Sequence, residues 1–207
     1  WGYVDFNRPM TEINMREQQA DSTFTLCGGD RVHPTTDGHL VMAYLFLKAQ
    51  GLANEPVADI AIDALTRTVN RSDNCKIDDL VVSSENISFT YLANSLPYPI
   101  DRSHYNNELH TQADALNVIP FMDEMNYEGL AVKGLSDGYY VLKIDGKTIT
   151  RLTAGDLKRG INLAAYDNTP QNEQAQEIRR LNEQRWFMER EMREYYWMEY
   201  NLMRDKG

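Results

Sequence analysis

Beyond Pro170 the chain reads as one long helix, and that segment limits what the rest can be. Ile178, Leu181, Met188, Met192, Tyr195 and Met203 recur at spacings of three, four, seven or eight residues, with Glu and Arg filling much of the remainder. A helix of about 30 residues, at about 1.5 Å of rise each, is roughly 45 Å long. A stripe of that length must dock on something. The aromatics Trp186, Phe187, Tyr195, Tyr196, Trp197 and Tyr200 suggest a ligand platform, but helical spacing favours a packing interface.

The remainder divides by pattern into residues 1–55 and 56–169, ahead of the helical segment 170–207. In the first part Tyr3-Val4-Asp5-Phe6 predicts a short strand, and Arg8 to Asp21 a loop or a short helix. Cys27-Gly28-Gly29-Asp30 is a turn signal, and Pro34 fixes the backbone just before a helix can begin. Thr35 or Thr36 can cap that helix, Leu40, Val41, Ala43, Tyr44 and Leu47 give it a broad apolar face, and Gly51 can end it. Strand, loop and helix in that order suit the edge of an α/β layered domain, with further layers needed as cover.

The second part reads as β-rich. Val57 to Ile62, Leu80 to Val82 and Ile87 to Tyr91 are strand candidates. Asp145-Gly146 between the alternating runs 138–144 and 147–152 predicts a type I′ hairpin, with a strand at Gly129 to Val132 beside it. No internal repeat or low-complexity segment stands out.

The chemistry sits in Gly29-Asp30-Arg31-Val32-His33-Pro34, followed by Gly38-His39 at the start of the apolar helix. An Asp three residues before a His on a tight loop can hold the imidazole in one tautomer and stabilise the imidazolium formed when it accepts a proton. Asp101-Arg102-Ser103-His104 repeats the spacing without these surroundings and is read as a solvated pair. His39, six residues from His33, lies on another helix face and is read as a hydrogen-bonded structural histidine. No metal-ligand spacing occurs, so neither a metal nor a cofactor is expected.

The block from Gly29 to Pro34 resembles the last motif of the SGNH, or GDSL-like, lipase and acylhydrolase family. The stretch Val4 to Thr11 resembles what precedes that motif in a bacterial subgroup, and the regions around 145–162, 168–171 and the aromatic helix are similar to that subgroup's C-terminal portion. The resemblance implies an α/β fold: the C-terminal part of an α/β/α layered hydrolase, then a β-rich region and a long helix. Residues 1–55 would belong to the hydrolase core, 56–169 to an accessory region and 170–207 to the helix. It also implies that Asp30 is the acid and His33 the base of a Ser-His-Asp triad. The substrate would be a carboxylic ester, with acylated carbohydrate as one class, and the location secreted or periplasmic.

The family's Gly-Asp-Ser block and its oxyanion motifs do not occur in these residues. Ser84, Ser88 and Ser103 are available hydroxyls, but none sits in a nucleophile elbow. The chain also begins at Trp1 without an initiator methionine, so the expectation is that a missing N-terminal part of the same protein is a partner. The competing reading is a non-catalytic module that binds a glycan or serves as a scaffold. An upstream Gly-Asp-Ser segment in the gene would decide for the enzyme.

Composition removes other classes. With a net charge of −10 and no cluster of Lys and Arg, a nucleic-acid surface is not expected, because phosphate binding needs concentrated positive charge. The run Leu40 to Leu47 is too short to span a bilayer. Cys27 and Cys75 are too few for a disulfide framework and are read as separate thiols. The exposed stripe leaves a homo-oligomer among the expected assemblies.

Overall fold

The short helix that is one of the two readings of Arg8 to Asp21 is present as α1, Asn7–Glu17, whereas Gly2 to Phe6 form no strand, against the strand expected at Tyr3 to Phe6. The Asp5 carboxylate accepts from the Arg8 N–H at 3.2 Å, and Arg8 pairs with Glu12 one turn on. Local bonds therefore start a helix, whereas a four-residue strand at Tyr3 to Phe6 has no neighbour to pair with among the described residues. The structure is a computed structural model and describes residues 2–83, 86–104 and 109–204. Ser84 lies outside them.

Helix α2, Thr36–Ala49, matches the expected element. It buries Leu40, Val41 and Tyr44 in a small core with Ile13 of α1, Leu26, and Ile100, Ala115, Ile119 and Phe121. The last four come from within 56–169, so that stretch is not sheet alone. Its 3-10 turn Gln112–Asn117 and short helix α3, Phe121–Glu124, lie there. Cover for one side of α2 thus comes from later in the chain, while Phe46 on the other side stays exposed. The core arrangement is helix, loop and helix, and corrects the strand-first order read from sequence.

A second core is built on a mixed sheet ordered β2-β1-β5-β8. Strand β1, Ala58–Asp63, runs parallel to β5, Glu128–Lys133, with Ile60 opposite Leu130 and Ile62 opposite Val132. Two hairpins accompany it: β3, Cys75–Val82, with β4, Ile87–Ala93; and β6, Tyr139–Ile144, with β7, Lys147–Thr153. Asp145 and Gly146 both have positive φ, 50° and 78°, as a type I′ turn requires. The strand at 129–132 joins β1 and β8 and not that hairpin, because its alternating Leu130 and Val132 belong to the central core. Strand β2, Thr68–Asp73, was invisible in the sequence: it is a wholly exposed edge whose place is fixed by backbone pairing to β1. β8, Ile161–Asn162, closes the other edge beyond helix α4, Ala154–Arg159.

Helix α5 runs from Pro170 to Arg204, and only Asn172 and Ala175 on it are buried. Its start is tied down by Arg179 to Asp101 at 3.0 Å and by Lys147 to Glu173. Gln171 reaches Glu128 at 3.3 Å.

Candidate functional site

The loop from Leu26 to Thr35 closes on itself. The Thr35 N–H donates to the Leu26 carbonyl at 3.0 Å, the Gly28 N–H to that of His33 at 2.7 Å, and the Arg31 N–H to that of Gly28 at 2.9 Å. Arg31 takes a left-handed φ of 61° to make the turn. The loop is seated on α2 by close approach: a Cβ on Gly38 would lie 2.1 Å from the Leu26 carbonyl oxygen, so no larger residue fits without movement.

Within that frame Asp30 and His33 meet, as the spacing predicted. One carboxylate oxygen of Asp30 accepts from the backbone N–H groups of Val32 and His33 at 3.0 and 3.1 Å; the other lies 2.5 Å from His33 Nδ1. The bond from His33, helped by those two N–H groups, holds the Asp30 carboxyl well below the usual carboxylate range. An ionised Asp30 is acceptor-only, so Nδ1 carries the proton and Nε2 is left as the acceptor. No described residue bonds Nε2, and the His33 side chain is 84% exposed. The arrangement can take a proton from an external hydroxyl.

Asp101 is committed elsewhere, accepting from the Ser103 backbone and hydroxyl at 2.8 and 2.5 Å and from Arg179. Ser88 is an exposed strand residue of β4. His39 is exposed, and its ring makes no bond to a described residue, which corrects its reading as a hydrogen-bonded structural histidine. No group of ligating side chains that could hold a metal occurs among the described residues. Cys27 and Cys75 are free. Among the described residues no helix is long and apolar enough to cross a membrane.

Two polar clusters escaped the sequence reading. At the start of α2 the buried Asp37 accepts from the Thr35 hydroxyl at 2.5 Å and the Gly38 N–H at 3.0 Å, and lies 3.3 Å from His110 Nδ1. It anchors the turn that follows His33. A first-turn Asp was the only hint, and the 73-residue separation of Asp37 from His110 hid the rest.

The second cluster centres on Glu128, fully buried on β5. It accepts from the Tyr91 hydroxyl at 2.8 Å and from Gln171, while its second oxygen has no partner among the described residues. Tyr91 and Gln171 also line a crevice of about 610 Å³ between the two hairpins and α5. Burial pushes the Glu128 carboxyl up from its ordinary value of 4.5. A raised folded-state value means that stability is fully present below the unfolded pKa and is lost as pH rises through the folded one. Melts of wild type and Glu128→Gln between pH 4 and pH 8 are expected to diverge as pH rises, in favour of the Gln variant. Parallel curves would show that the carboxyl titrates as it does in the unfolded chain.

Residues 176–207, most of α5, match the family model described as the diltiazem deacetylase C-terminal helical domain. Over its whole length the chain is also similar to a solved structure described as a gut microbial diltiazem-metabolizing enzyme, at 47% identity and a TM-score of 0.91. The match covers 100% of this chain and 47% of that one, so this chain spans about half the length of its relative. No curated protein matches the chain.

Proposed function

We propose that this chain supplies the general base His33 and its orienting acid Asp30 to a serine ester hydrolase of the SGNH or GDSL-like kind, acting on acyl esters such as acetates. The observation that carries this reading is the 2.5 Å contact from Asp30 to His33 Nδ1 on a loop locked by its own backbone, with Nε2 turned to solvent. The matched family model is named for a deacetylase, and removal of an acetyl group by water is chemistry that such a pair serves. A relative twice as long leaves room for the nucleophile and the oxyanion donors in another segment.

In this mechanism a serine from that segment attacks the ester carbonyl as its proton passes to His33 Nε2. The tetrahedral intermediate expels the alcohol, which takes that proton. Water then attacks the acyl-serine, giving its proton to the same nitrogen, and the acid leaves as the serine regains a proton. Asp30 stays ionised throughout and stabilises the imidazolium. The 207-residue chain by itself is expected to hydrolyse p-nitrophenyl acetate no faster than its His33→Ala variant, because losing nucleophile and oxyanion donors costs factors of roughly a thousand each. Turnover clearly above that control would place a nucleophile within these residues and overturn the division of labour.

A further inference from the structure

From the first turns of α5 onward, every stripe residue is open to solvent: Ile178, Leu181, Met188, Met192, Tyr195 and Met203 are 45–73% exposed. At about 100° per residue they fall within an arc of roughly 100°. Leu181, Met192 and Met203 are eleven residues apart, as are Trp186 and Trp197. This local recurrence is too short to register as a domain repeat. Eleven residues make about three turns, so the rows run nearly along the axis and suit a straight helical partner. The same arc also holds Glu177, Arg185 and Glu199, so the seam is apolar with charged interruptions, and its apolar part still exceeds the few hundred Å² that soluble monomers usually leave open.

We infer that this face pairs antiparallel with α5 of a second copy of the chain, about a two-fold axis near Trp186 and Phe187. Charge is the first reason. Pro170–Arg204 holds seven acidic and six basic residues, which leaves nearly all of the net charge of −10 on the rest of the chain. Two near-neutral helices can meet, and the antiparallel sense keeps the two acidic bodies at opposite ends of a rod about 52 Å long.

Register is the second reason. That axis lies at the middle of the helix, so the two copies overlap along its whole length. It sets Leu181 against Met192 and Ile178 against Tyr195 of the second copy, places Arg180, which pairs with Glu177 of its own helix, near Glu191 on one flank, and leaves Arg185 within the seam opposite Met188. An apolar crevice of about 440 Å³, lined by Ile178, Tyr98, Pro99 and Met125 among others, opens beside the place this register gives Tyr195 of the second copy. Two helices packed along this length bury on the order of 800 Å² each, the size of a standard stable interface.

The test is disulfide trapping in the full chain with its free thiols removed as Cys27→Ser and Cys75→Ser. A mixture of Leu181→Cys and Met192→Cys chains is expected to give a covalent dimer on mild oxidation. Neither variant alone should do so, since like positions sit about 16 Å apart along the axis. Sedimentation velocity should show a wild-type dimer and a Leu181→Glu/Met192→Glu monomer of unchanged helix content. Because the double variant could misfold, reversal at one flank serves as a check. Arg180→Glu should weaken the dimer at least tenfold, and Arg180→Glu/Glu191→Arg should restore it. A wild-type monomer at 100 μM overturns the proposal, as does a dimer indifferent to these substitutions, or an intact longer protein whose own upstream residues cover the stripe.

Discussion

On the proposed function, His33→Ala in a protein extended upstream of this chain is expected to lower kcat/KM for p-nitrophenyl acetate about ten-thousand-fold or more, equivalent to roughly 5 kcal/mol of transition-state stabilisation. The loss follows from geometry: Nε2 of His33 is the open acceptor on a ring whose other nitrogen is fixed by Asp30 at 2.5 Å. Asp30→Asn should also be strongly impaired, because an amide can present its N–H to the ring and stabilise the wrong tautomer. His104→Ala serves as the internal control. Its neighbour Asp101 is engaged by Ser103 and Arg179, so activity should stay within a few-fold of wild type. Comparable losses at His33 and His104 would remove the basis for assigning the base.

The second large effect concerns Gly38, which touches no substrate. Alanine there would place a methyl carbon 2.1 Å from the Leu26 carbonyl oxygen, which also receives the Thr35 N–H that closes the loop carrying Asp30 and His33. Relief requires the start of α2 to lift from the loop or the carbonyl to swing away. Overpacking of this severity costs about 3 kcal/mol, and the gain from replacing a helical glycine by alanine returns about 1 kcal/mol. A net loss of about 2 kcal/mol lowers the melting temperature of a domain of this size by roughly 4–8 °C. Calorimetry measures it directly, and a Gly38→Ala protein that melts with wild type would mean that the loop is not held against the helix. On the proposed function, the same variant in an upstream-extended protein should lose activity beyond what its stability explains, since Asp30 and His33 ride on the displaced loop.

Some elements were legible because their causes are local. The Asp145-Gly146 hairpin depends on two adjacent residues that tolerate positive φ. Helix α2 depends on a proline before it and apolar residues at helical intervals within it, while the expected threonine cap is not made, because the Thr35 hydroxyl donates to Asp37 instead. Other elements have causes far away in the chain. Strand β2 is exposed throughout, with Val69 as its one apolar residue, and exists because β1 offers it unpaired backbone groups. The segment Tyr3 to Phe6, apolar enough to resemble a strand, is not one because no strand edge among the described residues pairs with it.

The sequence by itself determined the Asp30 and His33 pair, since three residues of tight loop leave the two side chains little choice but to meet. It also determined the extent of α5, whose register of apolar and charged residues is continuous from Ile178 to Met203. Only the tertiary structure decided that Asp37 is buried against His110, that Glu128 lies sealed beneath Tyr91 and Gln171, and that Ile100, Ala115, Ile119 and Phe121 return to cover α2. Each of these joins residues dozens of positions apart. Hydrophobic burial constrains how much apolar surface must be covered but not by which distant segment, so that choice emerges only when the chain is packed.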